Sequence, residues 1–175
     1  MKFDLSDPIP LTPSEGFFLI RDEMTKLVPY LADTESIEVV KREDQEGIVK
    51  LVNKWQASSS KIPTALQSII KKEMLSWLDH ATWYENGLYG DWKLESTVGA
   101  SYFSCSGKTS FKEKAGKTHL CMEINFEVYP EKVPGVPRLV AGMIRGQVEK
   151  FLGDLLTANM KTLAQSVQKY VENRG

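Results

Sequence analysis

The 175-residue sequence contains only two cysteines and two histidines, and this scarcity excludes several classes of protein. Cys105 and Cys121 are too few for the disulfide framework of a small secreted scaffold. A zinc site needs three or four converging ligands, whereas His80 and His119 fall in different predicted hairpins without a third ligand at suitable spacing. We therefore expect neither a metal site nor a fold that depends on disulfides.

An excess of one charge and long apolar runs are also missing. Lys plus Arg number 22 and Asp plus Glu 23, so the basic excess of a nucleic-acid-binding protein is absent. No apolar run reaches the roughly 18 residues of a membrane-spanning helix, and the segment Met1–Pro8 lacks the apolar core of a secretion signal. We expect a cytoplasmic protein with a single domain over residues 1–175 that does not bind nucleic acid.

Two common catalytic and cofactor-binding motifs are absent as well. The sequence has no glycine-rich phosphate loop and no G-x-S-x-G nucleophile elbow. For this reason we assign no cofactor and no established catalytic residue from motifs.

Sequence patterns that are typical of helices lie near both ends of the chain. Thr12-Pro13-Ser14-Glu15 forms a capping box and predicts a helix that continues to Leu27 and breaks near Pro29. A second, short helical turn is predicted over Tyr30–Thr34. Near the other end, apolar residues at helical spacing predict one long helix over about Arg138–Val171.

Between these helices, residues 36–129 show the period-two alternation that is typical of strands. Together with an opening strand, the pattern predicts seven antiparallel strands: Phe3–Ile9, Ser36–Arg42, Ile48–Ala57, Trp77–Glu85, Leu88–Val98, Ala100–Phe111 and Thr118–Tyr129. Asn86-Gly87 predicts a two-residue hairpin turn, and Ala115-Gly116 marks the turn of the last hairpin.

This order of elements resembles a known fold, and two sequence runs add to the resemblance. The runs are Trp77-Leu78-Asp79-His80-Ala81-Thr82-Trp83 and Asp91-Trp92-Lys93-Leu94-Glu95, which look like bacterial START-like proteins. The resemblance is to the START-like or Bet v 1-like helix-grip superfamily (SRPBCC), which includes polyketide cyclases, and it covers nearly the whole chain.

The resemblance implies an α+β fold in which a curved, seven-stranded antiparallel sheet wraps around a long C-terminal helix. In this chain the sequence pattern places two short helices after the first strand and an extra helix between strands 2 and 4, and that extra helix departs from the simplest version of the fold. In such proteins the gap between the sheet and the helix forms an apolar cavity that binds lipids, sterols or polyketides. We therefore expect a ligand cavity in this chain too.

The strand registers predict which side chains face that cavity. In the last hairpin the register pairs Cys105 with Phe126, and the even-numbered residues of the final strand face inward. In the preceding hairpin Asp79 pairs with Leu94 and faces inward, whereas a slip of one residue would turn His80 inward instead. The candidate ligand-binding residues are Trp77, Asp79, Trp83, Trp92, Leu94, Phe103, Cys105, Met122, Ile124, Phe126, Met143, Gln147 and Phe151.

Three hypotheses for function follow from this cavity. The leading one is a binding or carrier protein for a hydrophobic ligand (a fatty acid, a phospholipid or a polyketide-like molecule), driven by burial of apolar surface. The candidates for holding its polar head are Asp79, Thr109, Arg145 and Gln147. An alternative is a polyketide cyclase or dehydratase with Asp79 or His80 as general acid-base. Another is a chaperone-type interaction module whose cavity is filled by side chains.

The segment Ile62–Lys72 interrupts the strands and predicts an amphipathic helix flanked by lysines. Its apolar face consists of Ile62, Leu66, Ile69 and Ile70. Because a buried cavity needs an entrance, this helix is a candidate lid or portal, with transient contact to a membrane surface as a second hypothesis and simple capping of the core as a third. We expect a monomer or a weak dimer.

Overall fold

The computed structural model describes residues 1–98, 102–133 and 138–174 of the chain. Its strands are β1 (Lys2–Ile9), β2 (Thr34–Gln45), β3 (Ile48–Ala57), β4 (Ser76–Tyr84), β5 (Tyr89–Ser96), β6 (Phe103–Lys114) and β7 (Lys117–Val128). They form one curved antiparallel sheet in the spatial order β1-β7-β6-β5-β4-β3-β2. Two α-helices, α1 (Pro13–Asp22) and α2 (Arg138–Arg174), complete the fold. The predicted α+β architecture is confirmed; the predicted start of β6 at Ala100 lies outside the described residues.

The registers of both C-terminal hairpins agree with the sequence pattern. Asp79 pairs with Leu94 across β4 and β5, and Cys105 pairs with Phe126 across β6 and β7. Asp79 consequently lies on the inner face of the sheet. His80 lies on the outer face, where its Nε2 atom is 2.9 Å from Glu95 Oε2.

The two hairpin turns differ in length. Ala115 and Gly116 have φ angles of 50° and 74°, so both residues take the left-handed conformation that a two-residue turn requires. The predicted two-residue turn at Asn86-Gly87 is wrong, because the last pair before the turn is Tyr84 with Tyr89. Residues 85–88 form a four-residue loop that preserves the register.

The first helix begins as predicted but ends earlier. Thr12 Oγ1 accepts a hydrogen bond from the Glu15 backbone N–H, and Glu15 Oε2 accepts one from the Thr12 backbone N–H. The helix ends at Asp22 rather than near Pro29, and a 3-10 segment follows over Met24–Tyr30. Pro29 lies inside this 3-10 segment, well beyond Asp22, so the proline does not set the end of the helix.

The predicted helix over Ile62–Lys72 is not formed. The segment contains only short 3-10 turns, at Thr64–Leu66 and Lys72–Leu75. Pro63 lacks a backbone donor, and a segment this short gains too few hydrogen bonds to offset the cost of nucleating an α-helix. The apolar side chains are nevertheless buried: Ile62, Leu66 and Ile70 belong to the core, and Ile69 packs against it.

The long helix α2 packs across the sheet with one half more deeply buried than the other. Its C-terminal half buries Leu163, Val167 and Tyr170 in the core. In its N-terminal half, Met143 is 81 % exposed and Gln147 is also exposed. No helix among the described residues is long and apolar enough to cross a membrane.

Candidate functional site

A cavity of about 90 Å³ lies between the inner face of the sheet and the C-terminal half of α2. Strands β3 to β7 form one wall, and α1 with the 3-10 segment after it forms another. Of the predicted ligand-binding residues, six line this cavity: Trp77, Asp79, Trp83, Trp92, Leu94 and Met122. All six face it from β4, β5 and β7, the strands whose registers the sequence pattern predicted.

Five other predicted residues are buried beside the cavity rather than in its lining. Phe103 and Phe126 line a second void of about 20 Å³, together with Trp77. Cys105, Ile124 and Phe151 are packed in the core. The core therefore fills a substantial part of the space that the resemblance assigned to a ligand.

The predictions for Met143 and Gln147 are wrong. Both side chains lie on the exposed surface of α2, away from the sheet. Arg145, another candidate for holding a polar head, is exposed as well, and its Nε atom donates to Glu149 Oε1 at 2.8 Å. The helix contributes Asn159, Met160 and Leu163 to the cavity instead, further towards its C-terminus.

Sequence reasoning also missed part of the cavity wall on the other elements. Trp55 on β3 lines the cavity, so all four tryptophans of the chain surround it. Ile20, Met24 and Leu31 close it from the side of α1. One signal was available for Trp55, since it alternates in phase with the buried residues of β3.

Asp79 is the ionisable side chain among those that line the cavity. The residue keeps partial exposure overall, but its Oδ1 atom is inaccessible to solvent. Burial raises the pKa of this carboxyl to about 7, and the Trp55 indole N–H acts against the rise. Burial, with a smaller effect of the Asp79 charge, also raises the pKa of the Cys105 thiol to about 12, so this cysteine is unreactive near neutral pH.

The orientation of Asn159 is fixed by the loop before β2. Its Oδ1 atom accepts hydrogen bonds from the Asp33 backbone N–H at 3.2 Å and from Thr34 Oγ1 at 3.3 Å. Because the Asp33 backbone N–H can only donate, the oxygen of the amide must face it, and the Nδ2 group is the one that faces away. Asn159 is only 8 % exposed, so its amide is held in a buried position at the cavity.

Three residues that line the cavity, and one residue paired with one of them in the sheet, each have a buried polar atom without a hydrogen-bond partner of normal geometry within the described parts of the chain. These atoms are Asn53 Oδ1, Trp55 Nε1, Asp79 Oδ1 and Asn159 Nδ2. Asn53 lies directly opposite Asp79 on β3. Each such buried group costs about 1–3 kcal/mol when it stays unpartnered, so a cluster of them marks a position where another molecule would complete the hydrogen bonds.

The described part of the chain brings neither His80 nor a group of metal ligands to this site. His80 points away from the cavity, which excludes the register slip that would have turned it inward. Within residues 1–98, 102–133 and 138–174, no group of three or more His, Cys, Asp or Glu side chains could hold a metal ion.

Comparison with known proteins supports the fold. Neither a protein-family model nor a curated protein matches the sequence. Among solved structures, the Zhui aromatase/cyclase from Streptomyces sp. R1128 matches with a TM-score of 0.68 and 13 % identity, over 99 % of this chain and 94 % of that one. TTHA0849 from Thermus thermophilus matches with a TM-score of 0.64 and 21 % identity, over 95 % of this chain and 97 % of that one.

A third solved structure matches as well. Ara h 8.0201 gives a TM-score of 0.54 at 16 % identity, over 99 % of this chain and 98 % of that one. This chain therefore has the helix-grip fold of START-like and Bet v 1-like proteins, as its sequence resemblance implied. At these identities the similarity defines the fold, and the chemistry of the cavity has to be argued from this chain's own residues.

Proposed function

We propose that this protein binds a small hydrophobic ligand in the cavity between the inner face of the sheet and α2. The observation that carries the proposal is the composition of the cavity wall, where four tryptophans and several aliphatic side chains surround a few polar atoms. Such walls are typical of small-molecule sites, because apolar surface supplies affinity and a few polar groups fix the orientation. Burial of ligand surface contributes roughly 25 cal/mol per Å² before the costs of binding.

The size of the cavity limits the ligand. At about 90 Å³ it is smaller than the roughly 300–1,000 Å³ of sites for drug-sized molecules. A single ring or a short chain suits this volume, whereas a fatty acid or a polyketide requires the wall to move. Met24, Met122 and Met160 line the cavity, and the flexible methionine side chain adapts to such changes. A phospholipid is the least compatible of these ligands.

A buried cavity also needs a route of access, and we propose the segment Ile62–Ile70 as its lid. In the structure its apolar side chains belong to the core or pack against it, and none of them lines the cavity. The segment is held by short 3-10 turns rather than by a regular helix or strand. Segments with few regular hydrogen bonds open at a lower free-energy cost than sheets and long helices do.

Binding is tested by titrating the protein with toluene while recording tryptophan fluorescence, since every tryptophan lines the cavity. We expect saturable changes in the wild type and none in Ala81→Leu, which fills the cavity from β4. Circular dichroism checks that the variant is folded, and Ala81→Met, whose more flexible side chain fills the same space, serves as a second variant if it is not. A wild type that gives no response to toluene or to longer hydrocarbons would overturn the proposal and favour a filled interaction module.

A cyclase or dehydratase remains the second candidate because of one observation at Asp79. Its pKa of about 7 places the carboxyl where a general acid-base works efficiently at neutral pH. His80 cannot share this role, since it lies on the outer face beside Glu95. An enzyme of this kind would lose turnover in Asp79→Asn while keeping ligand affinity, whereas a carrier would show turnover in neither protein.

A further inference from the structure

The unpartnered polar atoms of the cavity are of two complementary kinds. Trp55 Nε1 and Asn159 Nδ2 are hydrogen-bond donors, and Asp79 Oδ1 is a carboxyl oxygen. All three residues line the same cavity. The Trp55 N–H also acts on the Asp79 carboxyl, so a ligand group that completes this set has to accept a hydrogen bond from at least one of the N–H donors and donate one to the carboxylate.

Few functional groups meet both requirements. A hydroxyl accepts and donates through one oxygen atom, so it can bind the donors and the carboxylate together. An ammonium only donates, so it leaves Asn159 Nδ2 without an acceptor. A carbonyl only accepts, so it supplies no further donor to an ionised Asp79.

The acidic wall of the cavity excludes a ligand with a carboxylate group. No Lys, Arg or His is found among the described side chains that line the cavity, and Asp79 is acidic. A carboxylate bound here would be desolvated without a counter-ion and would face a second carboxyl group, which is strongly unfavourable. The sequence-based expectation of a fatty acid is therefore a poor match to this wall.

We propose that the cavity selects a neutral hydrophobic ligand with a hydroxyl group, an alcohol or a phenol, and rejects carboxylates. The hydroxyl oxygen accepts from Asn159 Nδ2 or Trp55 Nε1, and its proton is donated to Asp79. The tryptophan rings cover the apolar body of the ligand. This inference rests on the proposed function, because it names the ligand class of the same cavity.

The test compares five probes built on one ring: toluene, 4-methylphenol, 4-methylbenzoate, 4-methylbenzaldehyde and 4-methylbenzylammonium. Their dissociation constants are measured by tryptophan fluorescence or calorimetry at pH 8, where Asp79 is largely ionised. We expect 4-methylphenol to bind at least roughly tenfold more tightly than toluene, as two hydrogen bonds allow. We expect 4-methylbenzoate to bind more weakly than toluene.

Substitutions of the polar residues test whether they cause the preference for 4-methylphenol over toluene. Asp79→Leu and Trp55→Phe remove one partner each and should reduce the advantage of 4-methylphenol over toluene while toluene still binds. Asn159→Asp keeps the oxygen that accepts from Asp33 and Thr34 but replaces the donor, so it should reduce the advantage as well. Asp91→Leu makes the matched change to Asp79→Leu on the outer face of β5 and should leave the advantage unchanged.

The outcomes separate this inference from the proposed function. Equal binding of toluene and 4-methylphenol would overturn the hydroxyl preference and leave the hydrophobic site intact. Tightest binding of the benzoate, the aldehyde or the ammonium probe would also overturn it. Failure of all five probes to bind would overturn both. Should Asp79→Leu fail to fold, Trp55→Phe and Asn159→Asp still decide the assignment.

Discussion

The indole ring of Trp92 lies over Gly107, its partner on the neighbouring strand β6. A Cβ atom at Gly107 would clash with the backbone carbonyl of Glu123 and would lie 2.5 Å from Trp92 Cζ2. On its other side, Trp92 Nε1 donates a hydrogen bond to Thr109 Oγ1 at 3.0 Å. The absence of a side chain at Gly107 thus allows a tryptophan to lie flat in the wall of the cavity.

We expect Gly107→Ala to lower the free energy of unfolding by about 1–3 kcal/mol, because a fixed backbone atom and a large ring both have to move. The measurement is urea denaturation of the purified variant. Ser104→Ala, an exposed change on the same strand, should stay within about 0.5 kcal/mol of the wild type. Equal stability of Gly107→Ala and the wild type would show that the ring can move aside without cost.

The raised pKa of Asp79 predicts a pH-dependent stability. The folded carboxyl has a pKa of about 7, whereas an unfolded Asp titrates near about 3.9. Between these values the folded state binds a proton that the unfolded state does not, so stability falls as the pH rises from about 4 to about 7 and levels off above 7. At about 1.4 kcal/mol for each pH unit, the two units between pH 5 and pH 7 lower wild-type stability by about 3 kcal/mol, and little changes from pH 7 to pH 8.

Asp79→Asn isolates this contribution, because its side chain is neutral at every pH and all other groups are shared with the wild type. We expect the variant to be the more stable protein at pH 8 and the difference to shrink towards pH 5. Urea denaturation of both proteins at the two pH values measures it. A constant difference between the two proteins would mean that Asp79 does not titrate in this range.

The inner face of the sheet could be predicted from sequence because a strand register leaves little freedom. A slip of one residue would move every side chain of β7 to the other face, and its alternation of buried and exposed residues permits only one choice. The inward position of Asp79 follows from the same argument. The contact between Trp92 and Gly107, in contrast, is seen only in the structure.

The helix side of the cavity could not be predicted in the same way. Apolar spacing shows which side of α2 faces the sheet, but it does not show which part of a 37-residue helix passes the cavity. Met143 was placed at the cavity for this reason, whereas Asn159 lines it. The segment Ile62–Lys72 shows a similar limit, since helical spacing of apolar residues also fits a series of short turns that bury them one by one.

Arg21 connects α1 to the loop between β4 and β5, and we expect its geometry to matter more than its charge. The guanidinium donates to both carboxylate oxygens of Asp22 at 2.8 Å and to Glu85 Oε1 at 2.6 Å, and the side chain is 6 % exposed. Lysine keeps the charge but cannot make this two-pronged contact. Arg21→Lys should therefore lower the free energy of unfolding by about 1–2 kcal/mol.

Arg42 provides a matched control for Arg21, since it also contacts Asp22 and makes a two-pronged contact with Asp44. Its side chain is 36 % exposed, so Arg42→Lys should change stability by less than about 0.5 kcal/mol. Urea denaturation of the two variants gives the comparison. If both variants lose the same free energy of unfolding, burial does not strengthen the contacts of Arg21.

The proposed lid predicts an effect on the rates of binding rather than on affinity. Ile70 is 4 % exposed in the core and does not line the cavity. Ile70→Ala removes packing that holds the segment closed, so opening becomes more frequent, and both association and dissociation of ligand should accelerate by a similar factor. Ile37→Ala makes the same change at a similarly buried position on β2, and it should destabilise the protein without changing these rates.

Stopped-flow tryptophan fluorescence with toluene measures both rate constants. If Ile37→Ala accelerates binding as much as Ile70→Ala does, general loosening of the fold explains the effect, and the segment Ile62–Ile70 has no gating role.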